Sequence, residues 1–301
     1  MPEVPAVFVR PARKPEWLKV KAPGSSSYLR LKALMSNLRL HTVCEEAHCP
    51  NIGECWHHGT ATFMILGEVC TRACRYCAVA HGRPDALDLA EPARVADAVA
   101  AMDLRYVVVT SVDRDDLPDG GAGVFAETIR RIKDGVPGCR VEVLIPDFKG
   151  SEAALHTVLD AKPDILNHNT ETVPRLYRIA RPGGGYRRTL DLLDRARGYA
   201  PSIPTKSGLM VGLGEEWPEI VEVLTDLRQV GCQILTIGQY LSPSAAHLPI
   251  ARYYHPDEFA MLKSTALGLG FGHVESGPLV RSSYHAHEQT ESYEQGVQAS
   301  P

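Results

Sequence analysis

The stretch Cys70-Thr71-Arg72-Ala73-Cys74-Arg75-Tyr76-Cys77 sets three thiols at C-x3-C-x2-C spacing, just after the apolar run Thr62-Phe63-Met64-Ile65-Leu66-Gly67. A short apolar run ending in glycine reads as a buried strand. The thiols therefore lie on a loop that leaves the end of a strand. Thiolates are the usual protein ligands of iron–sulfur clusters. Three of them reach three irons of a [4Fe–4S] cube and leave the fourth open to a small molecule. The competing reading is zinc, whose structural sites take four protein ligands. This loop offers three thiols, with His81 the nearest fourth ligand.

A second set stands upstream, Cys44-Glu45-Glu46-Ala47-His48-Cys49-Pro50-Asn51-Ile52-Gly53-Glu54-Cys55, spaced C-x4-C-x5-C. It too has no neighbouring fourth cysteine. Either it is a zinc knuckle completed by His48, His57 or His58, or it holds a second iron–sulfur cluster whose fourth ligand comes from elsewhere. Six of the eight cysteines lie between Cys44 and Cys77. The chain is too large to be a disulfide-stapled secreted scaffold, and clustered cysteines in a reducing compartment speak for metal. Cys139 and Cys232 stand alone before apolar runs and are expected in the core.

From residue 62 onward strand-like and helix-like stretches alternate. Strands are expected at Thr62–Leu66, Tyr106–Ser111, Arg140–Ile145, Ile165–Asn167, Lys206–Val211 and Ile234–Ile237, with helices between them and a last one at Pro256–Leu269. Repeated βα units imply parallel strands. Six are too few for a full eight-stranded barrel, so the expectation is an α/β chain with a partial (β/α)6 TIM-type barrel and N- and C-terminal extensions. The segments run 1–60, 61–272 and 273–301. Residues 1–27 read as an extended arm anchored by Trp17 and Leu18, residues 27–38 as a helix, and 288–301 as a disordered polar tail.

In such barrels the site lies at the C-terminal strand ends. Those ends carry Ser111-Val112-Asp113-Arg114-Asp115-Asp116, then Asn167-His168-Asn169-Thr170-Glu171, then Gly208-Leu209-Met210-Val211-Gly212. Asn169 and Glu171 suit a ribose diol or an ammonium group. The glycines around Val211 allow close backbone approach, as to an adenine. Asp115, Asp116 and Asp119 read as a solvated loop. Arg181 and Arg187 could clamp a carboxylate. Near the end, Gly277-Pro278-Leu279-Val280-Arg281-Ser282-Ser283-Tyr284 leads an apolar run into a polar motif. Order so late in a chain needs a reason, and a missing cluster ligand would be one.

Composition bounds the rest. The chain has 301 residues, 44% of them hydrophobic, and a formal net charge of −4. That suits a sizeable core and gives no global signal for nucleic acid. No apolar run approaches the ~20 residues of a membrane span. The first residues show no signal-peptide pattern, so a cytoplasmic protein is expected, and with no exposed apolar heptad to suggest a dimer, a monomer.

The cysteine loop resembles the radical S-adenosylmethionine (radical SAM) superfamily. Together, C-x4-C-x5-C, C-x3-C-x2-C and Arg281-Ser282-Ser283-Tyr284 resemble the lipoyl synthase family over roughly residues 10 to 287. The resemblance implies that Cys70, Cys74 and Cys77 hold the cluster that binds SAM, with Tyr76 near the adenine and Ser111 and Asp113 near the SAM amino group. It implies that Cys44, Cys49 and Cys55 hold a second, auxiliary [4Fe–4S] cluster, with Ser283 as an oxygen ligand. The implied substrate is an octanoyl group on a lysine of a lipoyl carrier domain, such as the glycine cleavage H protein or a 2-oxo acid dehydrogenase E2. Two SAM molecules serve C6 and C8 in turn, the auxiliary cluster gives up the sulfur, and a ferredoxin or flavodoxin supplies electrons. A methylthiotransferase or biotin-synthase relative is the nearest alternative enzyme, and a zinc-binding interaction module the alternative of another class.

Overall fold

A computed structural model describes residues 14–20, 24, 26–38, 40–46, 49, 51–57 and 62–298. Most of the expected N-terminal arm, and the zinc-knuckle candidates His48 and His58, lie outside them. One sheet of eight strands organises the chain: β1 (His41–Thr42), β2 (Thr62–Ile65), β3 (Tyr106–Ser111), β4 (Arg140–Leu144), β5 (Ile165–Asn167), β6 (Thr205–Val211), β7 (Ile234–Gln239) and β8 (His273–Gly277). Spatial order follows sequence order, β1 pairs antiparallel with β2, and every later pair is parallel. All six expected strands are present. Two more join them, one from each extension, and β1 and β8 do not pair, so the barrel stays open.

The helices are α1 (Ser26–Asn37), α2 (Val43–Glu46), α3 (Ile52–His57), α4 (Glu91–Ala101), α5 (Ala122–Gly135), α6 (Glu152–Asp160), α7 (Tyr177–Ala180), α8 (Tyr186–Tyr199), α9 (Trp217–Gln229), α10 (Pro256–Gly268) and α11 (Ala286–Gln298). Their starts follow local chemistry. Ser151 Oγ accepts from the Ala154 N–H at 3.3 Å and begins α6. Glu216 and Glu219 cap α9 reciprocally, and His255 and Glu258 do the same for α10, each with proline in the first turn.

Strand alternation sorts the side chains. Phe63, Ile65, Val107, Val109, Val141, Val143, Leu235 and Ile237 join the helices in one apolar core. Met64, Thr110 and Leu144 face the barrel interior. The strands are buried on both faces, as parallel strands under a helical layer must be. Cys139 and Cys232 are buried, as expected. Leu18 anchors the arm at 0% exposure, and Trp17 meets the His255 ring edge-on at 4.9 Å.

The tail corrects the sequence reading. Residues expected to be disordered form α11. Its buried face is polar, so periodicity did not reveal it. Thr290 lies 3.0 Å from the Tyr106 hydroxyl, Tyr293 accepts from Gln233 at 2.8 Å, and Glu294 pairs with Arg140.

Toward the N-terminal strand ends the interior is charged. Lys206 and Glu142 are fully buried, 2.9 Å apart at closest. Tyr106 (2.7 Å) and Asn167 (3.0 Å) also donate to Glu142. Such a pair is costly to break from one side, because the survivor stays buried without its counter-charge. Lys206→Met is expected to lower stability by ~3–5 kcal/mol, and Glu142→Leu added to it to recover part of the loss. Denaturant midpoints of the two variants check this, and a single variant as stable as wild type would refute it.

Candidate active site

The cysteine loop is clamped by segments distant in sequence. The Leu66 N–H donates to Glu91 in the first turn of α4 at 2.7 Å, fixing where β2 ends. The Cys70 N–H then donates to the Ala80 carbonyl (2.8 Å), Thr71 N–H to Asp113 O (2.9 Å), and Arg75 N–H to Ala180 O (2.9 Å). His247 Nε2 donates to the Cys77 carbonyl at 2.9 Å. The Cys70 sulfur accepts backbone N–H groups from Arg72 at 3.4 Å and Asp113 at 3.3 Å.

Arg72, inside the loop, is the main electrostatic anchor. Its side chain is 3% exposed and faces three carboxylates: Asp115 at 2.8 Å, Asp147 at 2.6 Å and Asp113 at 3.4 Å. Burial works to raise the Asp147 pKa, and the hydrogen-bonded Arg72 outweighs it and holds the carboxyl below the usual range. Asp115 is therefore a partner of the loop, not the solvated residue expected. Asp116 pairs with Arg114, and Asp119 caps the turn into α5 through the Gly121 and Gly123 N–H groups.

One cavity of about 290 Å³ holds the expected residues together. Cys70, Cys74, Cys77 and Tyr76 line it with Ser111, Asp113, Asn169 and Glu171, and so do Cys44, Cys49 and Ser283. Cys55 completes the second triplet in an adjoining hollow lined by Cys44, Cys49, Ser283 and Tyr284. The loop of that triplet is tied to the C-terminal motif: Asn51 Nδ2 donates to Leu279 O at 2.7 Å, and the Tyr284 hydroxyl to Glu54 at 3.2 Å.

The donor set fits iron–sulfur clusters. Burial pushes the Cys74 thiol up to about 12, Cys77 to about 11 and Cys55 to about 12. Thiols so placed become ligands when a cation offsets the burial of the thiolate. Among the described residues, the one trio of His, Cys, Asp or Glu ligand atoms within 4.8 Å of one another is His41, Glu46 and Glu68. Neither thiol triplet is so tight, whereas thiolates on one tetrahedral zinc sit about 3.8 Å apart. One ion shared by all three thiols of either triplet does not fit that spacing, and a larger multi-iron group does.

The SAM-side residues also suit a polar ligand. Among the described residues, Ser111 Oγ and Arg72 Nη1 are buried and find no hydrogen-bond partner. Asn169 Nδ2 donates to Glu171 Oε1 at 3.1 Å. Glu171 adopts φ 71°, a left-handed conformation that costs a non-glycine residue energy and recurs at functional sites. Tyr76 packs against Ala180, Leu213, Tyr240 and Leu248.

The arginine clamp changes, and Val211 can offer the site its backbone alone. Val211 is fully buried in the outer core and does not line the cavity, because alternation along β6 turns its side chain toward the helices. Arg187, 82% exposed, pairs with Asp191 one helical turn on. Arg181 does reach the site, yet it donates to the Asn169 carbonyl at 2.8 Å instead of holding a free carboxylate with Arg187. Sequence reasoning missed Arg72, Asp147 and Arg281, which lines the same cavity. Asp147 follows the end of β4, a position that could have been searched.

With the geometry in hand, the relatives can be read. Residues 64–227 match the Radical SAM superfamily, more than half of the chain, and residues 9–49 match the N-terminal domain of lipoyl synthase. The barrel resembles methylornithine synthase PylB (TM-score 0.54, 14% identity, 80% of this chain and 69% of that one). It also resembles the FeFe-hydrogenase maturase HydG of Carboxydothermus hydrogenoformans (TM-score 0.58, 16% identity, 89% and 61%). Fold and cysteine loop thus define a radical SAM enzyme, a class that uses a [4Fe–4S] cluster and SAM. The chain is 62% identical to the lipoyl synthase of Rubrobacter xylanophilus over 94% of its length and 88% of the relative's. It is 59% identical to that of Koribacter versatilis over 95% and 94%. The chain belongs to the lipoyl synthase family, sulfur-inserting transferases. Among the described residues no helix is long and apolar enough to cross a membrane.

Beside the site, His168 is fully buried, its Nδ1 donating to Ile145 O at 2.8 Å and its Nε2 accepting from Thr189 at 3.1 Å. Burial, with Arg181 nearby, lowers its pKa to about 4. An unfolded histidine titrates near 6.5, so stability should fall by ~1.4 kcal/mol per pH unit as pH drops from there toward 4. His168→Gln should show a smaller drop in denaturation midpoint between pH 7 and pH 5. An equal drop in both proteins would refute the assignment.

Proposed function

We propose that this chain inserts sulfur at C6 and C8 of an octanoyl group carried on a lysine of a lipoyl carrier domain, in the cytoplasm. The observation that carries the reading is the single cavity shared by Cys70, Cys74, Cys77, Cys44, Cys49 and Ser283. An unactivated C–H bond offers no proton for a base to remove, so a cofactor must carry the step. Cys70, Cys74 and Cys77 would hold the first cluster, which would supply the electron for cleavage of SAM into methionine and a 5′-deoxyadenosyl radical. The protein's share is to bind, orient and exclude water.

Tyr76 offers an aromatic face to the adenine. Asn169 and Glu171 take the ribose or the ammonium group, and Ser111 and Asp113 the amino end. Cys44, Cys49, Cys55 and Ser283 hold the second [4Fe–4S] cluster, the sulfur donor and thus a substrate. Two SAM molecules are used per lipoyl group, one per C–H bond. The extensions, 1–60 and 273–301, supply the ligands of that donor to the barrel at 61–272. Carrier partners are of the glycine cleavage H protein and 2-oxo acid dehydrogenase E2 kinds, and the electron donor is a ferredoxin or flavodoxin.

Anaerobic iron and sulfide analysis tests the two-cluster part. Wild type should carry about eight irons and the Cys70/Cys74/Cys77 triple Ala variant about four. Four falling to none would remove the sulfur donor, and zinc without iron would end the radical reading. An octanoyl-lysine peptide assay then tests the reaction itself.

Ser283 gives a further check. A hard hydroxyl oxygen is a weaker iron ligand than thiolate. It should release iron more readily as the donor is consumed. Ser283→Cys should keep its iron content and turn over more slowly; unchanged turnover would count against that role.

A further inference from the structure

The motif Arg281-Ser282-Ser283-Tyr284 has a first serine that the cluster assignment does not use. Two strand glycines give its segment a seat. A Cβ at Gly238 in β7 would lie 2.1 Å from the Val280 carbonyl oxygen. A Cβ at Gly208 in β6 would lie 2.6 Å from Asn169 Oδ1 and 3.0 Å from Ser282 Oγ. At Gly238 a backbone carbonyl leaves no room for a side chain, and at Gly208 a side chain would displace the Asn169 amide, so the motif seats against bare strand backbone.

In that seat Ser282 Oγ donates to Asn169 Oδ1 at 3.0 Å. The other end of the same amide donates to Glu171 Oε1 at 3.1 Å. Arg181 Nη1 holds the Asn169 main chain through its carbonyl at 2.8 Å. Each end of the amide thus has its own partner, and the orientation is fixed from both sides. Ser282, Asn169 and Glu171 all face the shared cavity.

We propose that Ser282 is a positioning residue for SAM: it locks the Asn169 amide, and through it Glu171, in the orientation that receives the ligand. The C-terminal segment would then complete both halves of the site, Ser283 serving the sulfur donor and Ser282 the SAM side. The inference rests on the reading that Asn169 and Glu171 contact SAM. It adds that a residue 113 positions away in sequence sets their geometry.

The test is equilibrium binding of SAM to anaerobically purified full-length protein, with iron counted in each sample. Variants are Ser282→Ala, Asn169→Ala and the double substitution. Loss of one neutral hydrogen bond predicts a roughly fivefold weaker SAM dissociation constant for Ser282→Ala. Iron content should stay at the wild-type value. In the Asn169→Ala background, Ser282→Ala should add nothing, since the partner is gone. Unchanged SAM affinity in Ser282→Ala overturns the proposal. So does a loss that comes with loss of iron, which would place the serine's effect on the donor cluster, and so does a fully additive double variant. Wild-type protein that binds no SAM would instead sink the parent reading and take the inference with it.

Discussion

A guanidinium at a barrel mouth can stay dry only if carboxylates surround it, and most of the site follows from that requirement. Arg72 comes from the cysteine loop, Asp113 and Asp115 from the end of β3, and Asp147 from the end of β4. Burying any of these charges alone would cost several kcal/mol. Together they compensate one another and bind the loop to two strands. Since the loop is also held by backbone hydrogen bonds to Asp113, Ala180 and Ala80, its thiols have little freedom. Preorganisation of this kind spares the cluster the entropy of ordering its own ligands. It also brings Asp113 within 3.9 Å of the Cys70 sulfur, so the charge that anchors the loop borders the reacting space.

The second set of thiols is placed by different means. β1, of only two residues, pairs with β2 at the barrel edge and leads directly into α2 with Cys44. Asn51 and Glu54 then reach the far end of the chain through Leu279 and Tyr284. The N- and C-terminal extensions therefore close on each other across the barrel. The N-terminal loop is tied to the C-terminal motif, which itself seats against bare backbone at Gly238.

This division explains what could be read from the sequence. Thiol spacing and the βα alternation are local patterns, and they located both triplets and six strands within a residue or two. Ser283 was reachable only through family resemblance, because nothing in its neighbourhood says that it faces Cys44. Arg72 stood in full view within the decisive loop and carried no signal, since its partners arrive 41 to 75 positions later. The period of two turns the Val211 side chain outward, so the approach expected at that glycine-rich stretch is one of backbone. The helix α11 escaped notice because its inward residues, Gln289 and Thr290, are polar. Burial satisfied by hydrogen bonds leaves no apolar stripe to find.

The polar floor of the barrel bears on the chemistry above it. Lys206, Glu142, Asn167, Tyr106 and Thr290 link β3 to β6 and α11 by hydrogen bonds beneath the cavity. A strongly coupled network in low dielectric has few alternative arrangements. Val108 and Tyr106 pack with Ala286 at the same level, beside a cavity of about 610 Å³ lined by Cys55, Tyr106, Arg140 and Glu288. The cysteine loop, Glu171 and the serine motif converge at the other, C-terminal ends of the strands. The charged pair, distant from the thiols, thus ties β4 and β6 to the strand that leads into Asn169 and Glu171.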